Sequence, residues 1–508
     1  MASAQDIANR IPITGAMMLA TLMNTLDSTI ANVALPHIQG SVSAAQDQIT
    51  WVLTSYIIAT AIMTPLSGWL TQKFGRKRII LISIVGFTVA SMLCGVATNL
   101  PEIVIFRVLQ GIAGASTMPL AQSVMLDIFP QRQLPVVMAV WSSAVIIGPI
   151  LGPAVGGWLT EYYSWRWAFY INVPIGVLAV AGVFIFMDHD EGGRQRPFDF
   201  VGFTALITFV IGFQLMMDRG PSQDWFGSRE IWFECAAGAA GLWIFIVQTA
   251  TAEHPFFDRA LARDANFVGT TIFGFFVGML LFSVTALLPT LMQNLLGYSA
   301  LQSGYASMPR GLGSLVAFIS VPLLLRWIGA RRTLVIGLVL SVAAVWMMTQ
   351  FDLSMTASPI LLSGLVQGLG TGLLFSPLTT LAYATLNPIH RTEGTIVSTM
   401  ARSLGSSVGI SMMQAELIRH SAIAHEALSG FIQPGDPVTA TLPAFMDPST
   451  GFGLQALNGE ITRQGAMIGY DWVFGLILVV TLGLFPLLLI LRSPPPMAPA
   501  LRPEAAHE

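Results

Sequence analysis

The sequence predicts an all-α polytopic membrane protein of about fourteen spanning helices, arranged as two six-helix bundles with a helix pair inserted between them. Three observations lead there. Of 508 residues, 54% are hydrophobic and only 10% charged, less than half the roughly one-quarter charged share of soluble domains. Apolar windows of the ~20 residues that cross a ~30 Å hydrocarbon core recur from Ile13 almost to the C-terminus. Two motifs also return half a chain apart at nearly one offset, the mark of an internal duplication.

Taken in order, the N-terminal stretch MASAQDIANRIPI is polar and unlike a cleavable signal peptide, so the first helix is expected to do the targeting. Apolar runs between polar or Pro-marked breaks place helices at about 13–35, 49–71, 79–98, 101–125, 135–159 and 167–187. The charged link DHDEGGRQRPFD at 188–199 leads to a pair at 198–217 and 232–250. Six more are expected at 266–291, 303–325, 332–351, 358–383, 395–417 and 469–491. The organisation read from this is an N-terminal bundle at 1–190, two linker helices within 191–260 and a C-terminal bundle at 261–492. The last bundle includes one long external loop, 418–468, whose Gly-, Asn- and Gln-rich stretch can form short helices, and a tail, 493–508, whose Pro- and Ala-rich sequence predicts disorder.

Cations orient the chain, because loops facing the cytoplasm carry the excess of Lys and Arg. One set of alternate loops and termini holds Arg10, Lys73, Arg76, Lys77, Arg78, Arg132, Arg194, Arg196, Arg259, Arg263, Arg326, Arg331, Arg332, Arg391, Arg492 and Arg502. The other holds only Arg166, Arg219, Arg229, Arg419 and Arg463. Both termini are therefore expected in the cytoplasm, which requires an even number of spans. The remaining cations, Arg107, Arg310 and Arg402, fall inside apolar runs.

The duplication rests on two echoes. Phe74-Gly75-Arg76-Lys77-Arg78 returns as Ile328-Gly329-Ala330-Arg331-Arg332, and Gln110-Gly111 with Pro119-Leu120 returns as Gln367-Gly368 with Pro377-Leu378. Four segments then carry a specific resemblance: LDSTIANVALP in the first helix, GWLTQKFGRKR after the second, RVLQGIAGAS in the fourth and GPAVGG in the fifth. With NVPIG at 172–176 and MDRG at 217–220, they resemble drug:proton antiporters of the major facilitator superfamily, in its fourteen-helix EmrB/QacA branch and most closely the EmrB type. The resemblance implies two parallel six-helix halves with a substrate site between them near the bilayer midplane. It implies export of amphipathic organic compounds from a bacterial inner membrane in exchange for protons, with a periplasmic adaptor protein and an outer-membrane channel as partners. One departure stands out: the loop signature usually carries Asp where this chain has Gln72, which removes that acid from any charge relay.

Ionisable groups inside the apolar runs are the candidates for coupling. An ionised acid at the position of Asp27 is costly in a membrane helix unless protonated, paired or hydrated, and alternating exposure would let it take up and release a proton. A static role, paired with Arg107 or hydrogen-bonded to Asn24 and Asn32, is the other reading. Arg107, early in the fourth helix, and Asp218, at the outer end of the seventh, complete the proton-coupling set that the resemblance implies. Gly148, Gly152, Pro153, Gly156 and Gly157 give a small-residue face in the fifth helix with a proline that removes a backbone donor; the resemblance places this signature at the seam between halves. Asn32, Gln110 and Arg402 are assigned to the substrate cavity or its gating, and Met279, Phe282, Met292 and Phe375 to an adaptable cavity lining. Gly68, Gln72, Gly75, Arg76, Lys77 and Arg78 form the loop motif, which fixes topology and can latch one conformation against carboxylates or helix C-termini. Arg310 is expected at the membrane interface.

Other classes are excluded or secondary. No Gly-x-x-x-x-Gly-Lys-Ser/Thr loop is present, so nucleotide-driven pumping is not expected. The seven histidines fall mainly in loops and form no ligand cluster, which leaves no enzyme, metal or cofactor reading. Cys94 and Cys235 lie in apolar runs and read as packing residues. A net charge of -3 implies no nucleic-acid partner. Small organic substrates, protons and the lipid bilayer are the expected partners. A dedicated exporter of one metabolite or siderophore fits the same motifs, and a non-transporting membrane receptor is the reading from another class.

Overall fold

In the computed structural model, residues 9–44, 48–49, 51–130, 133–188, 197–430, 443–447 and 450–491 are described. The expected tail and the middle of the expected external loop lie outside them. Among the described residues fourteen long helices form: α1 (Arg10–Val42), α2 (Trp51–Phe74), α3 (Arg76–Val96), α4 (Leu100–Ile128), α5 (Leu134–Tyr162), α6 (Trp167–Phe186), α7 (Phe200–Arg219), α8 (Arg229–Thr251), α9 (Ala265–Asn294), α10 (Ala300–Trp327), α11 (Ala330–Met348), α12 (Ala357–Ala382), α13 (Arg391–Gly430) and α14 (Gly451–Leu482). Twelve regions among the described residues are long and apolar enough to cross a membrane. The two long helices outside that set are α1 and α13, and both are polar in their middle turns: α1 carries Asn24, Asp27 and Asn32, and α13 carries Arg402, Ser403, Ser406 and Ser407.

Local chemistry sets the helix starts. Asn99 accepts from Glu102 N–H with a proline in the first turn of α4, Asp199 caps α7, Ser228 caps α8 and Asp264 caps α9. Ser299 and Gln302 form a capping box at α10, so donors that the helix leaves open are satisfied by side chains. The two echoed loop glycines behave alike: Gly75 has φ 87° and Gly329 φ 81°, a left-handed conformation that glycine adopts without a Cβ clash. Each turns the chain from α2 into α3 and from α10 into α11.

The packing repeats as well. α1 packs on α5, α2 and α3 on α4, and α3 on α6; in the second half α9 packs on α13, α10 and α11 on α12, and α11 on α14. The halves meet through α5 on α10 and α12, and reciprocally through α13 on α2 and α4. The α7–α8 pair leans on α2 and α13 through α7, held to itself by Gly212, where an added Cβ would lie 2.7 Å from Glu234 O, and Gly241, where one would lie 2.6 Å from Phe209 N. Trp232, Phe233, Trp243 and Ile246 on α8 are exposed, an apolar surface suited to lipid.

In the stretch read as one long external region, 418–468, the described flanks are helical and continue the neighbouring helices. α13 continues to Gly430 and α14 begins at Gly451. The two extensions pack on each other where Gly465 and Gly469 meet Ser421 and His425, with His420 stacked on Trp472 at 4.1 Å. Hydropathy marks the edge of the apolar run, but a helix need not stop where its residues become polar. The final long helix ends at Leu482 rather than 491, where turns over 483–486 that contain Gly483 and Pro486 interrupt it before a short helix at Leu487–Ile490.

Candidate functional site

Asp27 lies midway along α1, 99% buried, and three donors from two other helices converge on it. Arg107 Nη1 donates to Asp27 Oδ2 at 2.7 Å, while Gln110 Nε2 and Asn172 Nδ2 donate to Oδ1 at 2.8 and 2.7 Å. Arg107 Nη1 also reaches Gln110 Oε1 at 2.8 Å, and its Nε donates to Val52 O at 3.0 Å. The guanidinium lies against the Tyr56 and Phe169 rings, 4.4 and 5.6 Å from their centroids. Asn172 Nδ2 further donates to Ser91 Oγ, which donates to Phe169 O. These bonds hold the charge pair through Nε and Nη1 of the guanidinium, while Nη2 has no partner among the described residues; an unmatched charge in such surroundings is costly.

Asn24 and Asn32 play no part in holding Asp27: Asn24 Nδ2 donates to Gly114 O at 3.3 Å and Asn32 is exposed. Asn172 went unassigned although it begins the NVPIG motif; a polar amide opening an apolar helix was the available signal. Asp218 is exposed at the end of α7 and accepts from Thr54 Oγ1. Thr54 lies between Val52 and Tyr56, the two α2 residues that contact Arg107. The neighbouring Arg219 is neutralised by Glu230 and Glu234 at the α7–α8 turn.

The glycines of α5 face α1. A Cβ at Gly148 or Gly152 would overlap Thr25 or Thr29, and one at Gly156 would lie 3.1 Å from Ile30. Thr25 and Thr29 donate to Ala144 O and Gly148 O at 3.3 Å. Pro153 lies within the helix, and Gly156 O and Gly157 O both accept from Thr160 Oγ1. The resemblance had put this signature at the seam between halves; α5 does line the seam, where Gly304 of α10 touches Ala154 and Trp141 lies beside Phe375 of α12. The glycine face serves α1, where Asp27 sits.

At the end of the bundle that carries the loop motif, the halves are tied together. Arg76 Nη1 pairs with Asp127 Oδ2 at 2.7 Å, and Arg391 of the other half lies 3.5 Å from Asp127 Oδ1 while donating to Leu126 O at 2.9 Å. Ser123 and Thr392 hydroxyls are 2.8 Å apart, Gln72 Nε2 donates to Glu393 Oε1 at 3.4 Å, and Gly68 lets α2 approach Ile396 of α13. Gln72 thus contributes an uncharged link, and Asp127 of α4 supplies the acid that the loop lacks. Lys77 is buried and donates to Phe184 O and Met187 O at the end of α6; Arg78 is exposed. Replacing Asp127 with Asn removes both ion pairs at once. A loss of about 1 kcal/mol across the seam shifts an open–closed equilibrium about fivefold, so alkylation of a cysteine placed at Thr392 is expected to speed up by that factor.

Arg402 is about nine-tenths buried on α13 and reaches across the seam, its Nη2 3.5 Å from Met118 Sδ and its Cζ 5.0 Å from the Phe375 ring centroid. Arg310 is 3% exposed rather than interfacial; its Nη1 donates to Thr285 Oγ1 at 3.2 Å and its Nε and Nη2 have no partner.

Paired helical halves joined across a two-fold seam, with a buried acid–guanidinium cluster in one of them, define a polytopic carrier. The sequence matches the Major Facilitator Superfamily over residues 17–410, and the chain belongs to that superfamily. It is 34% identical to the multidrug export protein EmrB of Haemophilus influenzae, covering 96% of each chain, and 33% identical to the fatty acid resistance protein FarB of Neisseria gonorrhoeae, covering 95% of this chain and 96% of that one. Its fold is similar to that of the proton:xylose symporter XylE, with a TM-score of 0.60 at 15% identity over 94% of this chain and 95% of that one.

Proposed function

We propose that the protein is a proton-coupled multidrug exporter of the bacterial inner membrane, moving amphipathic organic compounds outward by alternating access. The buried Asp27 carboxylate, held by Arg107, Gln110 and Asn172, carries this reading, with the near full-length likeness to a multidrug export protein beside it. A proton arriving from the outer side displaces Arg107 from Asp27 and resets the empty carrier; release inward restores the pair and readies the cavity for cargo. Asp218, tied to α2 through Thr54, relays charge toward Arg107.

In this reading all fourteen long helices span the bilayer, with both termini and the loop motif in the cytoplasm. Residues 1–190 and 261–492 rock against each other about the α5–α10 and α2–α13 contacts, and 191–260 fills the flank beside α2 and α13. The paired extensions of α13 and α14 then stand outside, where they offer a helical surface for a periplasmic adaptor leading to an outer-membrane channel.

One elementary charge moved through 100 mV supplies about 2.3 kcal/mol and one pH unit about 1.4. One or two protons per cycle therefore sustain a concentration ratio of a hundredfold or more. The test is purified protein in proteoliposomes with an imposed pH gradient, challenged with lipophilic cations, weak acids and uncouplers. Cargo movement with counter-release of protons is the expected result; a wild type that moves none of them and releases no proton sinks the reading.

A further inference from the structure

The two halves repeat their helix contacts but differ in charge. Gly148 and Gly152 approach Thr25 and Thr29 as Gly405 and Gly409 approach Phe275 and Met279; each α1 residue therefore corresponds to an α9 residue 250 further on (275 less 25, 279 less 29), and Asp27 corresponds to Val277. In the same way Gly111 meets Tyr56 O and Gly368 meets Arg310 O, so Arg310 occupies the place of Tyr56. The first half contains a guanidinium neutralised by a carboxylate. Of the buried guanidiniums of the second half, Arg391 meets Asp127, whereas among the described residues Arg310 and Arg402 form no ion pair.

Arg402 contacts Gly278 and Arg310 contacts Thr285. These two α9 positions are seven residues apart and so lie on one helix face, about 10 Å from each other along the axis. Arg402 is the one of the pair at the seam. Its side chain meets a thioether from the opposite half and the Phe375 ring, which itself lies 6.3 Å from the ring of Trp141 on α5, with the Tyr383 phenol of its own half within electrostatic reach. Trp141 is fully buried and its Nε1 has no acceptor. A buried cation flanked by aromatic rings and an unused N–H donor, where the halves meet, lacks only an anion.

We propose that Arg402 recognises the acidic group of the exported compound, so that the cargo is an amphipathic organic anion whose apolar body lies along Phe375, Trp141 and Met118. The inference deepens the exporter reading above and rests on it. Arg310 adds positive potential from behind, and Val277 in place of an acid leaves that potential uncancelled. An anion leaving while a proton enters moves charge twice in the same sense, so an inside-negative potential assists the exchange.

The test measures equilibrium binding to the full-length protein in detergent of two probes with the same naphthylalkyl body, one ending in a carboxylate and the other in trimethylammonium. Wild type is expected to prefer the carboxylate. Arg402→Gln should swing the ratio of the two affinities at least about thirtyfold toward the ammonium, as the loss of a charged hydrogen bond dictates, while Arg402→Lys, which keeps the charge but not the fork, should move it less. Should Arg402→Gln fail to fold, Met118→Glu sets a carboxylate beside the guanidinium and must abolish the carboxylate preference. Equal effects of these variants on both probes, or a wild type that prefers the ammonium, overturn the proposal. A wild type that exports the ammonium and ignores the carboxylate leaves the exporter standing without the anion site; one that binds the carboxylate through Arg402 yet exports nothing under a pH gradient leaves the site standing without the exporter.

Discussion

Replacing Asp27 with Asn should abolish proton-driven transport and destabilise the first half, two effects that a double variant can separate. The carboxylate accepts from three donors at 2.7 to 2.8 Å. An amide in its place turns one acceptor into a donor, so either Arg107, at Oδ2, or both Gln110 and Asn172, at Oδ1, are left facing an N–H group. Arg107, fully buried, becomes an uncompensated charge, and removing one partner of a buried pair costs about 3–5 kcal/mol. Thermal unfolding of Asp27→Asn should therefore begin well below that of wild type. Adding Arg107→Gln removes the stranded cation and should return most of that stability, since neutral replacement of a whole buried pair is often tolerated. Proton release on adding cargo should stay below about one-hundredth of wild type in both variants, the loss of about 2.7 kcal/mol of coupling at 1.36 per decade. If the double variant recovers pH-driven transport along with its stability, the pair is a structural clasp and the proton travels elsewhere.

Much of this cluster could be read from the sequence because it breaks a rule that apolar helices otherwise keep. Asp27 and Arg107 stand out as ionisable groups inside runs that must face lipid or protein, and the echo of Gly75 in Gly329 disclosed the duplication before any packing was known. Asn172 and Ser91 did not stand out, because uncharged polar side chains are ordinary in membrane helices and only the bond from Asn172 to Asp27, with Ser91 behind it, gives them meaning. The tie between Asp127 and Arg391 was hidden for a related reason: its two ends lie in different halves, and nothing local to either predicts a partner 264 positions away (391 less 127). That the helical parts of 418–468 continue α13 and α14 was not legible, because apolarity reports the bilayer, while helix continuation beyond it depends on backbone hydrogen bonds and on the Gly465 and Gly469 contacts. Arg310 was misplaced at the interface by its nearness to the start of its helix, where position along the chain says nothing of which neighbours cover it.

The second large effect is expected from Gly152→Val, a substitution with no charge and no polar group in it. A Cβ at this position would overlap Thr29 Oγ1 and lie 2.7 Å from Thr29 Cβ. Helices α1 and α5 are too close here for either side chain to yield, since Thr29 is itself fixed by its bonds to Thr25 O, Leu26 O and Gly148 O. Overpacking of this kind costs about 1–3 kcal/mol, and the strain can be relieved only by moving α1 outward. Asp27 is two residues from Thr29 and moves with it, while Arg107, Gln110 and Asn172 stay with α4 and α6. Shifting one helix by a fraction of an ångström to an ångström lengthens all three hydrogen bonds together, so coupling should fall by at least about tenfold for each 1.4 kcal/mol lost there. Gly15 and Gly40, on the same helix, have nothing within 4 Å of an added Cβ, and alanine at either should be neutral or stabilising by up to about 1 kcal/mol. Unfolding temperature and proton release measured across Gly152→Val, Gly152→Ala, Gly15→Ala and Gly40→Ala should therefore rank by the overlap at α1 and not by the loss of glycine. A Gly152→Val protein that unfolds and couples like the Gly15→Ala protein would mean that α1 does not owe its position, or Asp27 its partners, to the small-residue face of α5.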